Sequence, residues 1–187
     1  MVLLHTPPGE LGSPAADFAL PGVSGSIHTL ADYQQAPAMV VVFWCNHCPY
    51  VQALEQRVID LAKEMNTLGV RFIAVSSNDT KSYPEDSFPN MKKRAKEKKY
   101  TFDYLFDEKQ TMARAYGAVC TPDFFVYDQE RKLRYRGRLD DSPRNPAGVR
   151  KQELKEAILA VLNGRPVPTP QNPSMGCSLK WLGEPKN

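Results

Sequence analysis

The chain has 187 residues, 42% of them hydrophobic and 24% charged, with a net charge of +3. That balance suits one globular domain with a substantial core and argues against a disordered, fibrous or strongly basic nucleic-acid-binding protein. The opening MVLLHTPPGE has neither the basic start nor the long apolar run of a secretory leader, and no stretch approaches the roughly 18 apolar residues of a membrane span, so a soluble cytoplasmic protein is expected. In a reducing compartment the four cysteines, Cys45, Cys48, Cys120 and Cys177, do not read as a disulfide framework, and the close pair points to redox or metal chemistry.

In chain order, residues 17–20 and 26–30 read as two short strands around the turn Pro21-Gly22-Val23-Ser24-Gly25, an N-terminal β-hairpin. Residues 31–37 are a polar connection, and the apolar run Met39 to Trp44 is a buried strand that stops at Cys45-Asn46-His47-Cys48. Val51, Leu54, Val58, Leu61 and Met65 then recur at helical spacing, and residues 70–76 form a second buried strand after Gly69. Strand, helix, strand implies a parallel pair with a right-handed crossover. Residues 78–89 read as a polar loop. The helix expected over 90–100 carries six basic residues between Lys92 and Lys99, a solvated face with too few interleaved aromatics for a nucleic-acid surface. A strand at 102–106, a short helix at 109–116 and Cys120-Thr121-Pro122 follow. Strands at 123–128 and 132–139 are joined by the turn at Glu130-Arg131, and a last helix spans 149–162. Residues 1–164 therefore form one domain, and residues 165–187, with four prolines between Pro166 and Pro173, form an extended tail lying over it. His5 and His28 read as turn or surface residues, and there is no internal repeat.

The C-x-x-C carries the chemistry. A strand delivering two thiols to a helix N-terminus places them where exposed backbone N–H groups and the macrodipole favour a thiolate. Cys45 is therefore expected to be the nucleophile, with a thiol pKa below the ordinary value of about 8.5, and Cys48 the resolving thiol. His47 beside Cys48 can support the thiolate when protonated or simply be exposed at the turn. Structural zinc is disfavoured because no second pair of cysteines or histidines follows. The remaining metal alternative, an ion or iron–sulfur module, would need Cys45, Cys48 and Cys120, with or without Cys177, to converge.

Three segments, GSPAADFAL from Gly12, VVVFWCNHC from Val40, and YGAVCTPDFFVYD from Tyr116, together resemble the thioredoxin-fold redoxins of the AhpC/TSA type, in particular a peroxiredoxin-like branch retaining a C-x-x-C. The resemblance covers about residues 11–162. It implies an α/β thioredoxin-like fold, with a central mixed sheet flanked by helices and an N-terminal hairpin. It also implies thiol-disulfide oxidoreductase activity with Cys45, Cys48 and His47 in the catalytic site, Pro122 in cis, and Trp44, Thr121 and Pro122 on the substrate side. The partners implied are a protein disulfide or small thiol and an electron donor such as a thioredoxin or glutathione system, with no bound cofactor, no metal, no nucleic acid and no membrane. Cys120 and Cys177 read either as buried apolar filler or as auxiliary thiols. Thiol peroxidase activity is the alternative. The family pattern P-x-x-x-T-x-x-C is missing, however: counted back from Cys48 its positions hold Cys45 and Val41, and counted back from Cys45 they hold Val42 and Ala38. The strand from Met39 to Trp44 also lacks the buried carboxylate found in thioredoxins, which leaves the proton acceptor for the second thiol unidentified.

Overall fold

The computed structural model describes residues 2–184. In chain order its elements are β1 (Leu3–His5), β2 (Ala19–Pro21), β3 (Ile27–Thr29), β4 (Ala38–Phe43), α1 (Pro49–Asn66), β5 (Arg71–Ser76), α2 (Phe88–Lys98), β6 (Asp103–Phe106), α3 (Thr111–Ala115), β7 (Cys120–Thr121), β8 (Asp123–Asp128), β9 (Leu133–Gly137), α4 (Glu153–Leu162) and β10 (Met175–Ser178). The main sheet runs β6-β5-β4-β8-β9. Its β4–β5 and β5–β6 pairs are parallel and its β4–β8 and β8–β9 pairs antiparallel. β2 and β3 pair as the expected hairpin.

All six residues of β4 are buried, because both faces of the sheet are covered, and this is why the strand reads as an unbroken apolar run instead of an alternating one. Its side chains still alternate. Val40 and Val42 meet Leu54 and Val58 of α1 and Leu154 and Ile158 of α4, while Met39, Val41 and Phe43 meet Phe18, Leu20, Met112 and Tyr116 on the other face. Each fully buried side chain of this size contributes about 1.5–3 kcal/mol, so the two half-cores fix the register of the strand that ends at the cysteines. α1 begins with Pro49 at its first position, where the missing N–H costs nothing. The one acidic residue on its buried face, Glu55, is met by Arg94 at 2.7 Å and by the Tyr100 hydroxyl at 2.6 Å. The basic residues of α2 are otherwise exposed, as the sequence predicts.

Two expectations are corrected. α4 begins at Glu153, not near Val149, because the Asp141 carboxylate accepts the backbone N–H groups of Arg150 (2.9 Å) and Lys151 (3.1 Å) and holds that segment out of the helix. The C-terminal segment is no mere tail over the domain: β10 is the middle strand of a second sheet, β1-β10-β7, pairing Cys177 with Leu3 on one side and with Thr121 on the other. At Gly176 the approach to β7 is so close that a Cβ would collide with the Thr121 carbonyl oxygen and lie 2.6 Å from its carbon, so glycine is required there. No helix among the described residues is long and apolar enough to cross a membrane.

Candidate redox site

β4 runs into Trp44, whose backbone N–H donates to Val75 at 2.8 Å and continues the pairing with β5 up to the first cysteine. Residues 45–47 form a loop, and Cys48 is the N-cap of α1. The helix N-terminus therefore lies at Cys48, one turn later than the expected position at Cys45. Asp86 fixes the loop. Its carboxylate accepts from the backbone N–H of Asn46 (2.7 Å) and His47 (3.2 Å) and from Asn78 Nδ2 (2.8 Å), and it pairs with His47 Nδ1 at 2.7 Å. The Asn46 amide is held between Glu85 O (2.8 Å) and Tyr104 Oη (3.1 Å), and the His47 ring stacks on Tyr83 with centroids 5.1 Å apart.

β7 closes the site from the other side through a cis peptide between Thr121 and Pro122. Thr121 Oγ1 lies 3.3 Å from Cys45 Sγ, and Thr121 O accepts from Cys48 Sγ at 3.3 Å. Cys177, opposite Thr121 on β10, brings its Sγ to 2.7 Å from Cys48 Sγ. Three sulfurs thus converge on one residue of β7. Cys120 does not join them: alternation along the strand turns it from Thr121's side, and its Sγ faces Pro122 O at 3.8 Å. Its thiol is pushed up by burial and by the Asp123 charge.

The electrostatics of the two cysteines differ from the expected pattern. Burial pushes the Cys45 thiol well up, helped by its contact with Cys48 and by the Asp86 charge. Cys48 moves far down. Its contacts with Cys177 and then with Cys45, together with the Val51 N–H at the helix start, outweigh its burial. Cys177 is raised, first by that same contact with Cys48 and then by burial. The expected depression of Cys45 is therefore corrected: the thiolate-favouring position is the N-cap, which Cys48 occupies. For His47, burial alone would lower the pKa, but the hydrogen bond and charge of Asp86, with Cys48 behind them, raise it. β4 has no carboxylate, but a buried one, Asp86, stands beside the cysteine loop. It went unread because it lies 40 residues beyond Asn46 in a stretch that looks like plain polar loop.

Two further expectations change. Trp44 does not face the cysteine pair's open side: its side chain sits in the core and donates its indole N–H to Tyr100 Oη at 3.2 Å. The edge at Thr121-Pro122, expected on the substrate side, is covered by β10, and Cys45 and Cys48 are both 0% exposed. Among the described residues the one trio of potential metal-ligand atoms within 4.8 Å of one another is Cys45, His47 and Asp86, not Cys45, Cys48 and Cys120. The Asp86 carboxylate already accepts from the two loop amides, Asn78 and His47, so its lone pairs are engaged within the protein.

A mixed sheet with a cysteine pair at the strand-to-helix corner and a cis-proline loop facing it defines a thioredoxin-like redox protein. The chain belongs to the AhpC/TSA family, whose model matches residues 11–136. It is similar to an uncharacterised conserved protein from Geobacillus kaustophilus, at 45% identity over 99% of both chains with a TM-score of 0.94. It is also similar to a hypothetical protein from Sinorhizobium meliloti, at 40% identity over 96% of this chain and 99% of that one with a TM-score of 0.92. The thioredoxin domain of a thiol-disulfide oxidoreductase from Bacteroides vulgatus shares the fold, with a TM-score of 0.61 and 18% identity over 75% of this chain and 96% of that one. No curated protein matches. Family and fold together assign a redox function.

Proposed function

We propose that the protein is a thiol-disulfide oxidoreductase that uses Cys45 and Cys48 as its redox pair, with Cys48 as the attacking thiolate and Cys45 as the resolving thiol. The observation that carries this reading is geometric: Cys48 is the N-cap residue of α1, with its Sγ 2.7 Å from Cys177 Sγ, while Cys45 lies buried in the loop before the helix. With β10 displaced from β7, the Cys48 thiolate attacks one sulfur of a substrate disulfide, expels the other as a thiolate that takes up a proton from solvent, and forms a mixed disulfide. Cys45 then gives up its proton, attacks Cys48 Sγ and closes the Cys45–Cys48 disulfide as the second substrate thiol leaves. We assign that proton to the His47–Asp86 pair, which lies within 4.8 Å of Cys45 Sγ. A thiol donor of the thioredoxin or glutathione kind returns the two electrons. The substrate is a protein disulfide or a small thiol compound, and the reducing cytoplasm suits three cysteines kept together as thiols.

Reduction of insulin disulfides with dithiothreitol as donor tests the assignment. Activity should disappear in Cys48→Ser. Activity kept in Cys48→Ser and lost in Cys45→Ser would return the nucleophile's role to Cys45.

A further inference from the structure

Cys177 has no part in a two-cysteine mechanism, yet its sulfur lies closer to Cys48 than Thr121 does to either cysteine of the pair. Its Sγ is 2.7 Å from Cys48 Sγ, only about 0.7 Å beyond a disulfide bond length. The contact is built by the fold. Cys177 is registered opposite Thr121, whose carbonyl oxygen is also the partner of Cys48, and Gly176 lets β10 lie directly against that carbonyl. On its other edge β10 is held by β1, with Cys177 opposite Leu3, so the sulfur is fixed from both sides.

We propose that Cys177 is a third redox thiol, and that Cys48 exchanges its disulfide partner between Cys45 and Cys177. This rests on the reading of Cys48 as the attacking thiolate. When Cys45–Cys48 is oxidised, the Cys177 thiol loses its proton and attacks Cys48 Sγ. The Cys48–Cys177 bond forms, the Cys45–Cys48 bond breaks, and Cys45 leaves as a thiolate that takes up the proton. No electrons enter or leave in this step. From a mixed disulfide on Cys48 the same attack expels the second substrate thiol instead: the substrate disulfide has gained two electrons, and Cys48 and Cys177 have lost them. The oxidising equivalent thus passes from the C-x-x-C loop to β10, the strand that covers the cis-proline edge. A disulfide there pins that strand to the start of α1, and its reduction releases it.

Oxidised glutathione, followed by acid quenching, alkylation and non-reducing peptide mapping, tests the relay. Cys45 and Cys48 share one tryptic peptide, since no lysine or arginine lies between them, so Cys45→Ser is needed to assign the link. The expected result is that Cys45→Ser loses two thiols per chain, carries no glutathione and yields a Cys48–Cys177 cross-linked peptide, a link absent from Cys177→Ser. Cys45→Ser ending with one glutathione on Cys48 and an alkylated Cys177 would overturn the relay. The wild-type map tests the same point without any substitution: a species linking the Cys45–Cys48 peptide to Cys177 supports the relay, and its absence counts against it. Insulin reduction separates the relay from the activity. A Cys48–Cys177 link without insulin reduction sinks the activity and leaves the relay standing, and insulin reduction without the link does the reverse.

Discussion

At Asp86 a single buried carboxylate accepts two backbone amides of the cysteine loop, the amide of Asn78 and the imidazole of His47. Asp86→Asn keeps the shape but removes the charge and turns an NH₂ group toward donors. It should cost about 3 kcal/mol, the usual scale for breaking one side of a buried pair. Because the raised His47 pKa depends on this partner, the contribution from His47 ionisation has a defined pH window. It is fully present below the unfolded histidine value of about 6.5 and is lost as pH rises through the higher folded value. Urea unfolding should therefore show a larger deficit for Asp86→Asn at acid than at alkaline pH, and the His47 midpoint, followed by NMR, should fall. A midpoint that stays put would mean that Asp86 does not set it. At this scale the sequence shows what is local. Cys45, Cys48 and Pro122 stand in short motifs, whereas Asp86 has no signal of its own and gains its role only when the chain folds back on Asn46.

The elements follow the same division. β4, α1, β5 and β8 are legible because each buries an apolar pattern of the right period against its sequence neighbours. β1 and β10 are three and four residues long, carry no alternation and owe their existence to pairing with each other and with β7, so no window of sequence contains their cause. β10 can be tested at Gly176. A Cβ there meets Thr121 backbone, which cannot swing aside as a flexible side chain could, so Gly176→Ala must lift the strand from β7. Overpacking of this kind costs about 1–3 kcal/mol, which in a protein of this size lowers Tm by about 5 °C. Cys48, now wholly buried, should also react faster with a neutral alkylating reagent in the folded protein. An unchanged Tm together with an unchanged alkylation rate would show that β10 does not lie directly against β7.

At the scale of the whole molecule, family membership leaves open whether peroxide or a disulfide is the natural oxidant, and our proposal of disulfide exchange rests on the distribution of donors around Cys48. Rapid peroxide reduction needs positioned hydrogen-bond donors that hold the peroxide and stabilise the charge on its departing oxygen, each worth roughly 10²–10³ in rate by analogy with oxyanion sites. Counted back from Cys48, the positions that hold threonine and proline in the family pattern are Cys45 and Val41. Thr121 offers its hydroxyl to Cys45 but presents only its carbonyl oxygen, an acceptor, to Cys48. Guanidinium groups that could serve are committed elsewhere: Arg57 to Asp140, Arg94 to Glu55, Arg136 to Asp123 and Arg138 to Glu153, with Arg131 bound to the carbonyls of Tyr33 and Ala36. A disulfide asks less, since its own sulfur is the leaving group and needs only a nearby thiolate and a second thiol in line. Hydrogen peroxide should therefore consume the reduced protein no faster than it consumes an ordinary accessible thiolate, while insulin reduction proceeds through Cys48. Stopped-flow kinetics decide the matter: a peroxide rate orders of magnitude above that of a free thiol, and lost in Cys48→Ser, would mean that the three converging sulfurs are themselves the donors and that the protein is a peroxidase.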